Sequence, residues 1–147
     1  MTMPNQQPTK KKYTLEELIE GMSAELTQVI AAEDTLQFAD LSGDCNPVHL
    51  DENYAANSRY KKRIAHGLHG ASFFSALFGT QLPGEGCVYA SQNLQFKRPV
   101  YVGDTVTAKV TIRKIDRVKK IVSFETKCFV KNKVVIDGSA DIFMPQK

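Results

Sequence analysis

The chain has 147 residues, 42% hydrophobic and 24% charged, enough for one globular domain with a single core and too few for two. Its longest strongly apolar stretch, residues 71–79, is far shorter than the ~18 residues that a membrane-spanning helix needs. A net charge of +3, with short basic clusters at 61–63, 97–98 and 119–120, suits an anionic ligand, but no zinc-finger, RNP or basic-helix pattern accompanies them, which sets nucleic acid aside.

Residues 1–12 are polar, with a lysine run at 10–12. They have the composition of a disordered leader and lack the apolar centre of a secretory signal, so the cytoplasm is the expected compartment and 13–147 the expected domain. Thr14 and Glu17 stand at capping-box spacing and open a short helix over 14–20, which Gly21 ends. A strand over 24–30 and a helix over 33–41 follow, the helix stopping at Ser42-Gly43. Pro47 has no amide hydrogen and disfavours helical geometry at Asn46, so residues 44–49 are predicted to form a turn. Another short helix over 51–57 leads through a basic loop to His66-Gly67.

From 67 to 78 the pattern is helical in length and apolar nearly all round, which predicts a buried helix. Gly79, Pro83 and Gly84 close it. Beyond them the apolar residues alternate with a period of two over 88–96, 105–115, 121–130 and 134–143. Val106, Ala108, Val110 and Ile112 would point inward, and Thr107, Lys109, Thr111 and Arg113 outward. The expectation is an antiparallel meander curled around the apolar helix, an α+β architecture in which each element buries the other's surface.

Asp44 and His49 stand five apart across the proline turn, close enough to converge on one point. A carboxylate and an imidazole can hold a water, take its proton and return one elsewhere; equally, an Asp-x-Asn-Pro turn can simply satisfy its own backbone. The apolar helix starts at His66-Gly67 without the Ser, Thr, Asp or Asn that usually caps such an end. Its first amides and dipole would stabilise an oxyanion. His49, His66 and His69 with Asp44 raise a metal reading, which the absence of a His-Glu-x-x-His or cysteine ligand set argues against. His69 is read as a polar group near the site's mouth or a hydrogen-bonded core histidine. Cys45, Cys87 and Cys128 form no redox or metal spacing and are read as free thiols. Cys45 as a nucleophile would need an orienting partner for His49, and none is evident.

The string FADLSGDCNPVHLD over 38–51, then IAHGL over 64–68, QLPG over 81–84 and FKRPVYVGD over 96–104, closely resembles the MaoC-like R-specific enoyl-CoA hydratases. The resemblance covers essentially everything after the leader. It implies a hot-dog fold, in which an antiparallel sheet wraps a long central helix, and a homodimer. It also implies reversible syn hydration of a trans-2-enoyl-CoA to an R-3-hydroxyacyl-CoA, with no metal or redox cofactor. On that resemblance Asp44 and His49 are the catalytic pair and the Gly67 amide is the oxyanion donor. Asn46 is the family's structurally important asparagine, and Ser75 matches a position lining the acyl pocket. His66 and Leu68 flank the oxyanion amide and are expected to bind substrate. Lys97 and Arg98, with Lys61, Lys62 and Arg63, are candidates for the coenzyme A phosphates. His69 stands where an apolar residue is expected. The alternatives are a hot-dog thioesterase, a dehydratase acting on acyl carrier protein, and a non-catalytic thioester-binding or scaffolding subunit.

Overall fold

The computed structural model describes residues 11–145. Residues 1–10 of the expected leader lie outside them, while Lys11 and Lys12 are joined to the fold: the Lys11 amide donates to Thr80 O at 2.6 Å and Lys12 forms a β-bridge with Gly84. Residues Leu15–Glu17 make a single 3₁₀ turn, so the helix expected over 14–20 is not formed. The Glu17 carboxylate accepts from the Thr14 amide at 2.8 Å, as the capping spacing implied. The Arg117 guanidinium takes the Leu15 and Leu18 carbonyls at 2.8 and 2.9 Å.

Strand β1 (Ser23–Val29) is followed by helix α1 (Ala32–Ser42). Residues 44–49 are not wholly a turn: Pro47–Leu50 form one helical turn, α2, since proline at the first helical position costs no hydrogen bond. Helix α3 (Glu52–Ala56) follows, with the Asp51 side chain accepting from the Tyr54 amide as its cap. Helix α4 (Gly67–Thr80) comes next, then β2 (Val88–Phe96), β3 (Thr105–Asp116), β4 (Ile121–Val130) and β5 (Lys133–Phe143).

All strand pairs are antiparallel, in the order β1-β3-β4-β5-β2. Only β3, β4 and β5 form a meander, so the expected four-strand meander is corrected: β2 lies on the far side of β5, not beside β3. A period of two tells which residues face inward and says nothing about which strand is the neighbour. As a result, residues 97–104 must travel from one side of the sheet toward the other, past the start of α4. They are pinned on the way by the bridge between Ile64 and Tyr101 and by the Gly103 amide bonding Ile30 O at 2.7 Å. Gly138 is needed where β2 meets β5, because a Cβ there would stand 2.1 Å from the Asn93 carbonyl oxygen.

The inward set of β3 is as expected, with Val106, Ala108, Val110 and Ile112 fully buried. These residues, with Val122, Phe124 and Cys128 of β4, pack on Phe74, Leu77 and Phe78 of α4, which gives the hot-dog arrangement of a helix held by a sheet. The helix is not buried all round. Leu68, Ser72, Ser75 and Gly79, spaced four, three and four apart, leave one stripe of it exposed.

Candidate active site

The mouth of the site is built from three short structures that meet at the start of α4. Gly43 ends α1 in the left-handed conformation, φ +83°, its amide bonded to Ala39 O, and turns the chain outward at Asp44. Asp44 is held by local bonds: its amide donates to Ser42 Oγ at 3.1 Å, and its Oδ1 accepts from the Asn46 amide at 3.1 Å. Asn46 Oδ1 accepts in turn from the Val48 amide at 3.3 Å, so Asn46 caps α2 and fixes the path between the acid and the histidine. One helical turn later, buried His49 bonds Ile64 O through Nδ1 at 2.6 Å. A carbonyl only accepts, so the hydrogen sits on Nδ1 and Nε2 is the nitrogen left for chemistry.

His66 immediately precedes α4 and offers no side-chain cap to it, so the helix start is uncapped by a side chain, as the sequence implied. Its ring lies 4.0 Å from that of His49, centroid to centroid. One ring nitrogen of His49, one of His66 and one carboxylate oxygen of Asp44 lie within 4.8 Å of one another, a spacing that can hold one small species such as a water. Among the described residues these are the only three such groups that converge closely enough to ligate a cation. At Gly67 a Cβ would stand 2.6 Å from the Phe96 ring, so glycine lets that aromatic lie directly over the first turn of α4.

These groups open on a cavity of about 660 Å³. Asp44, His49, His66, Gly67 and Leu68 line it, as do Lys97 and Arg98. Asn46 and Ser75 are exposed and outside its lining, Ser75 lying on the open stripe of α4. Lys61, Lys62 and Arg63 also lie outside it; Arg63 pairs with Glu52 at 3.4 Å, and Lys62 Nζ sits 4.8 Å from the centre of the Tyr101 ring. The sequence reading missed Arg59, which contributes the basic loop's own cation to the lining, and Phe96, which roofs the helix start. Arg59 adjoins the 61–63 cluster and Phe96 opens the FKRPV string, so position relative to those motifs was the available signal. Phe38, Ile30 and Ile136 supply apolar wall.

His69 is outside the lining. It stacks on Phe38, with ring centroids 5.5 Å apart and 11° between planes, and meets Phe73 edge-on. Its Nδ1 is buried without a hydrogen-bond partner among the described residues. Burial lowers its pKa below the usual histidine range, opposed by the Asp34 carboxylate and reinforced by His66. It thus backs the Phe38 wall as an aromatic.

A buried helix held by an antiparallel sheet, with a carboxylate, an imidazole and an open helix start at the mouth of one apolar cavity, defines a hot-dog protein of the acid–base type. The comparisons make the assignment specific: the MaoC like domain family matches residues 7–135, and the chain belongs to that family. It is 48% identical over 135 residues to an (R)-specific enoyl-CoA hydratase of Rhodospirillum rubrum, covering 92% of this chain and 94% of the relative. It is 39% identical over 140 residues to a 3-hydroxybutyryl-CoA dehydratase of Methylorubrum extorquens, covering 95% and 89%. Among solved structures, the (R)-hydratase from Aeromonas caviae involved in PHA biosynthesis superposes with a TM-score of 0.87 at 40% identity, over 88% of this chain and 99% of that one.

Proposed function

We propose that the protein is an R-specific enoyl-CoA hydratase, a hydro-lyase that adds water reversibly across the double bond of a trans-2-enoyl-CoA. The observation that carries the reading is the convergence of Asp44, His49 and the uncapped start of α4 on one cavity in a chain this similar to (R)-specific hydratases. Asp44 and His49 Nε2 hold one water. The water oxygen bonds to the β-carbon as the carbon–carbon π pair moves onto the thioester, and the Gly67 amide stabilises the resulting enolate oxygen. The pair takes one proton from the water and returns one to the α-carbon on the same face, which makes the addition syn. Atoms and electrons balance with water alone, so the chemistry calls on no redox cofactor.

Arg59, Lys97 and Arg98 surround the cavity with positive charge, which supports coenzyme A phosphates as the anion recognised there. Leu68 and the His66 backbone flank the oxyanion amide along the path of the thioester. Val88, Tyr89 and Phe96 are exposed on β2, which among the described residues pairs with β5 alone, beside the open stripe of α4. An unpaired apolar edge of that kind favours a homodimer closed by a second copy of the chain. The free thiols Cys45, Cys87 and Cys128 suit a reducing compartment, and with them we place the protein in the cytoplasm.

The test is loss of the enoyl-thioester absorbance on adding protein to crotonyl-CoA. Asp44→Asn and His49→Gln are each expected to lower kcat by roughly 10²–10⁴-fold, the usual worth of a positioned acid or base. Full activity in both folded variants would remove the pair from the mechanism, and release of free coenzyme A thiol would mark a thioesterase instead.

A further inference from the structure

We propose that His66 is a positioning residue for the hydration, whose side chain fixes the Asp44 backbone against the start of α4 so that carboxylate and oxyanion amide are held in register by one residue. The inference rests on the hydratase reading and gives His66 a role other than contact with substrate. Its ring is 3% exposed. Its Nε2–H donates to the Asp44 backbone carbonyl at 2.9 Å, and its Nδ1 is buried with no partner among the described residues. That ring therefore commits its one N–H donor to the acid's main chain. It is gripped between Phe38, at a centroid distance of 4.8 Å, and His49, at 4.0 Å, so it has little room to follow the turn if the turn moves.

Asp44 needs such an anchor. It is exposed, and among the described residues its other bonds run to residues 42–46, within its own turn. Among the described residues, His66 alone ties it to an element distant in sequence. That element begins at the next residue, Gly67, so a single side chain plus one peptide unit sets the distance between the acid and the amide. A Ser or Asp in place of His66 would have capped α4 more conventionally; the histidine instead leaves the helix amides open and reaches across to Asp44. Because the Asp44 turn is exposed, water can replace the lost bond to its carbonyl. Removing the donor is therefore expected to disturb alignment much more than stability.

The experiment uses two complementary variants. His66→Phe keeps an aromatic against Phe38 and His49 but cannot donate, whereas His66→Gln loses the ring and keeps a side-chain N–H of similar reach. His66→Leu is the second donorless variant should Phe not be accommodated. With crotonyl-CoA, His66→Phe is expected to lower kcat by about 30- to 100-fold, the scale of a small misplacement of reacting groups, with KM changed less than about threefold. His66→Gln is expected to recover most of that loss. In an Asp44→Asn background, His66→Phe is expected to cost no more than about twofold, because residues acting through one another are not additive. Equal losses in the Phe and Gln variants, a change confined to KM, or a full multiplicative loss in the Asp44→Asn background would each overturn the proposal. A wild-type protein that turns over no enoyl-CoA would instead overturn the hydratase reading, a distinct result visible before any variant is made.

Discussion

Asp44 and His49 are held by opposite means, a difference that suits the proton exchange with a bound water proposed for them. The acid is exposed at the end of a chain of local turn bonds, while the histidine is buried with its tautomer fixed by Ile64 O. Among the thiols, burial pushes Cys128 up to about 12, whereas Cys45 is exposed beside the acid. A thiol reagent is therefore expected to label Cys45 in the native protein and Cys128 only after unfolding; native labelling of Cys128 would contradict its place in the core. The closeness of the two side chains was legible in the sequence because Gly43 and Pro47 mark a turn that spaces them. Arg59, Phe96 and the His66 tether were not, since each acts across contacts between segments far apart in the chain, and no local spacing encodes such a contact.

Helix α4 and the three-strand meander were legible almost to the residue, because a long apolar run and a strict period of two leave few ways to bury the same side chains. The segments misread were those whose hydrogen bonds are settled elsewhere. Arg117, from the turn after β3, takes the carbonyls of Leu15 and Leu18, and the Asn46 side chain together with Pro47 makes a helical turn out of a predicted loop. Phe74 is fully buried at the centre of α4, and Phe74→Ala is expected to cost about 3–5 kcal/mol of stability in denaturant unfolding; a loss below about 1 kcal/mol would mean the helix is not the core. Across β3 and β4, Arg113 hydrogen-bonds Glu125 and holds its carboxyl below the usual range, with Lys127 assisting. A depressed folded-state pKa stabilises above the unfolded pKa, and that contribution is lost as pH falls through the folded value. Arg113→Ala should accordingly lower stability at pH 7 by less than about 1 kcal/mol, as for an exposed pair, and by still less near pH 3. A larger loss at the acid end would reverse the sign and refute the coupling.

At the scale of the whole molecule, the strand order is what alternation could not reveal. Placing β2 on the far side of β5 carries residues 97–104 past the start of α4 and brings Phe96, Lys97 and Arg98 to the cavity, so the topology itself assembles the mouth of the site. The same placement leaves residues of β2 and the Leu68 stripe uncovered, where the sequence reading had expected the helix to be buried. If a second copy covers it, Val88→Lys combined with Leu68→Glu should shift a dimer to monomer in analytical ultracentrifugation, since a proposed interface of this kind does not tolerate buried unpaired charge; an unchanged sedimentation coefficient would place the interface elsewhere. The central claim, that this fold delivers the hydroxyl of a water to one face of the β-carbon of an enoyl thioester, is tested most directly by the stereochemistry of the product. Crotonyl-CoA incubated with the protein should give 3-hydroxybutyryl-CoA of R configuration by chiral chromatography, whereas S product, or free coenzyme A in place of a hydroxyacyl thioester, would contradict the account.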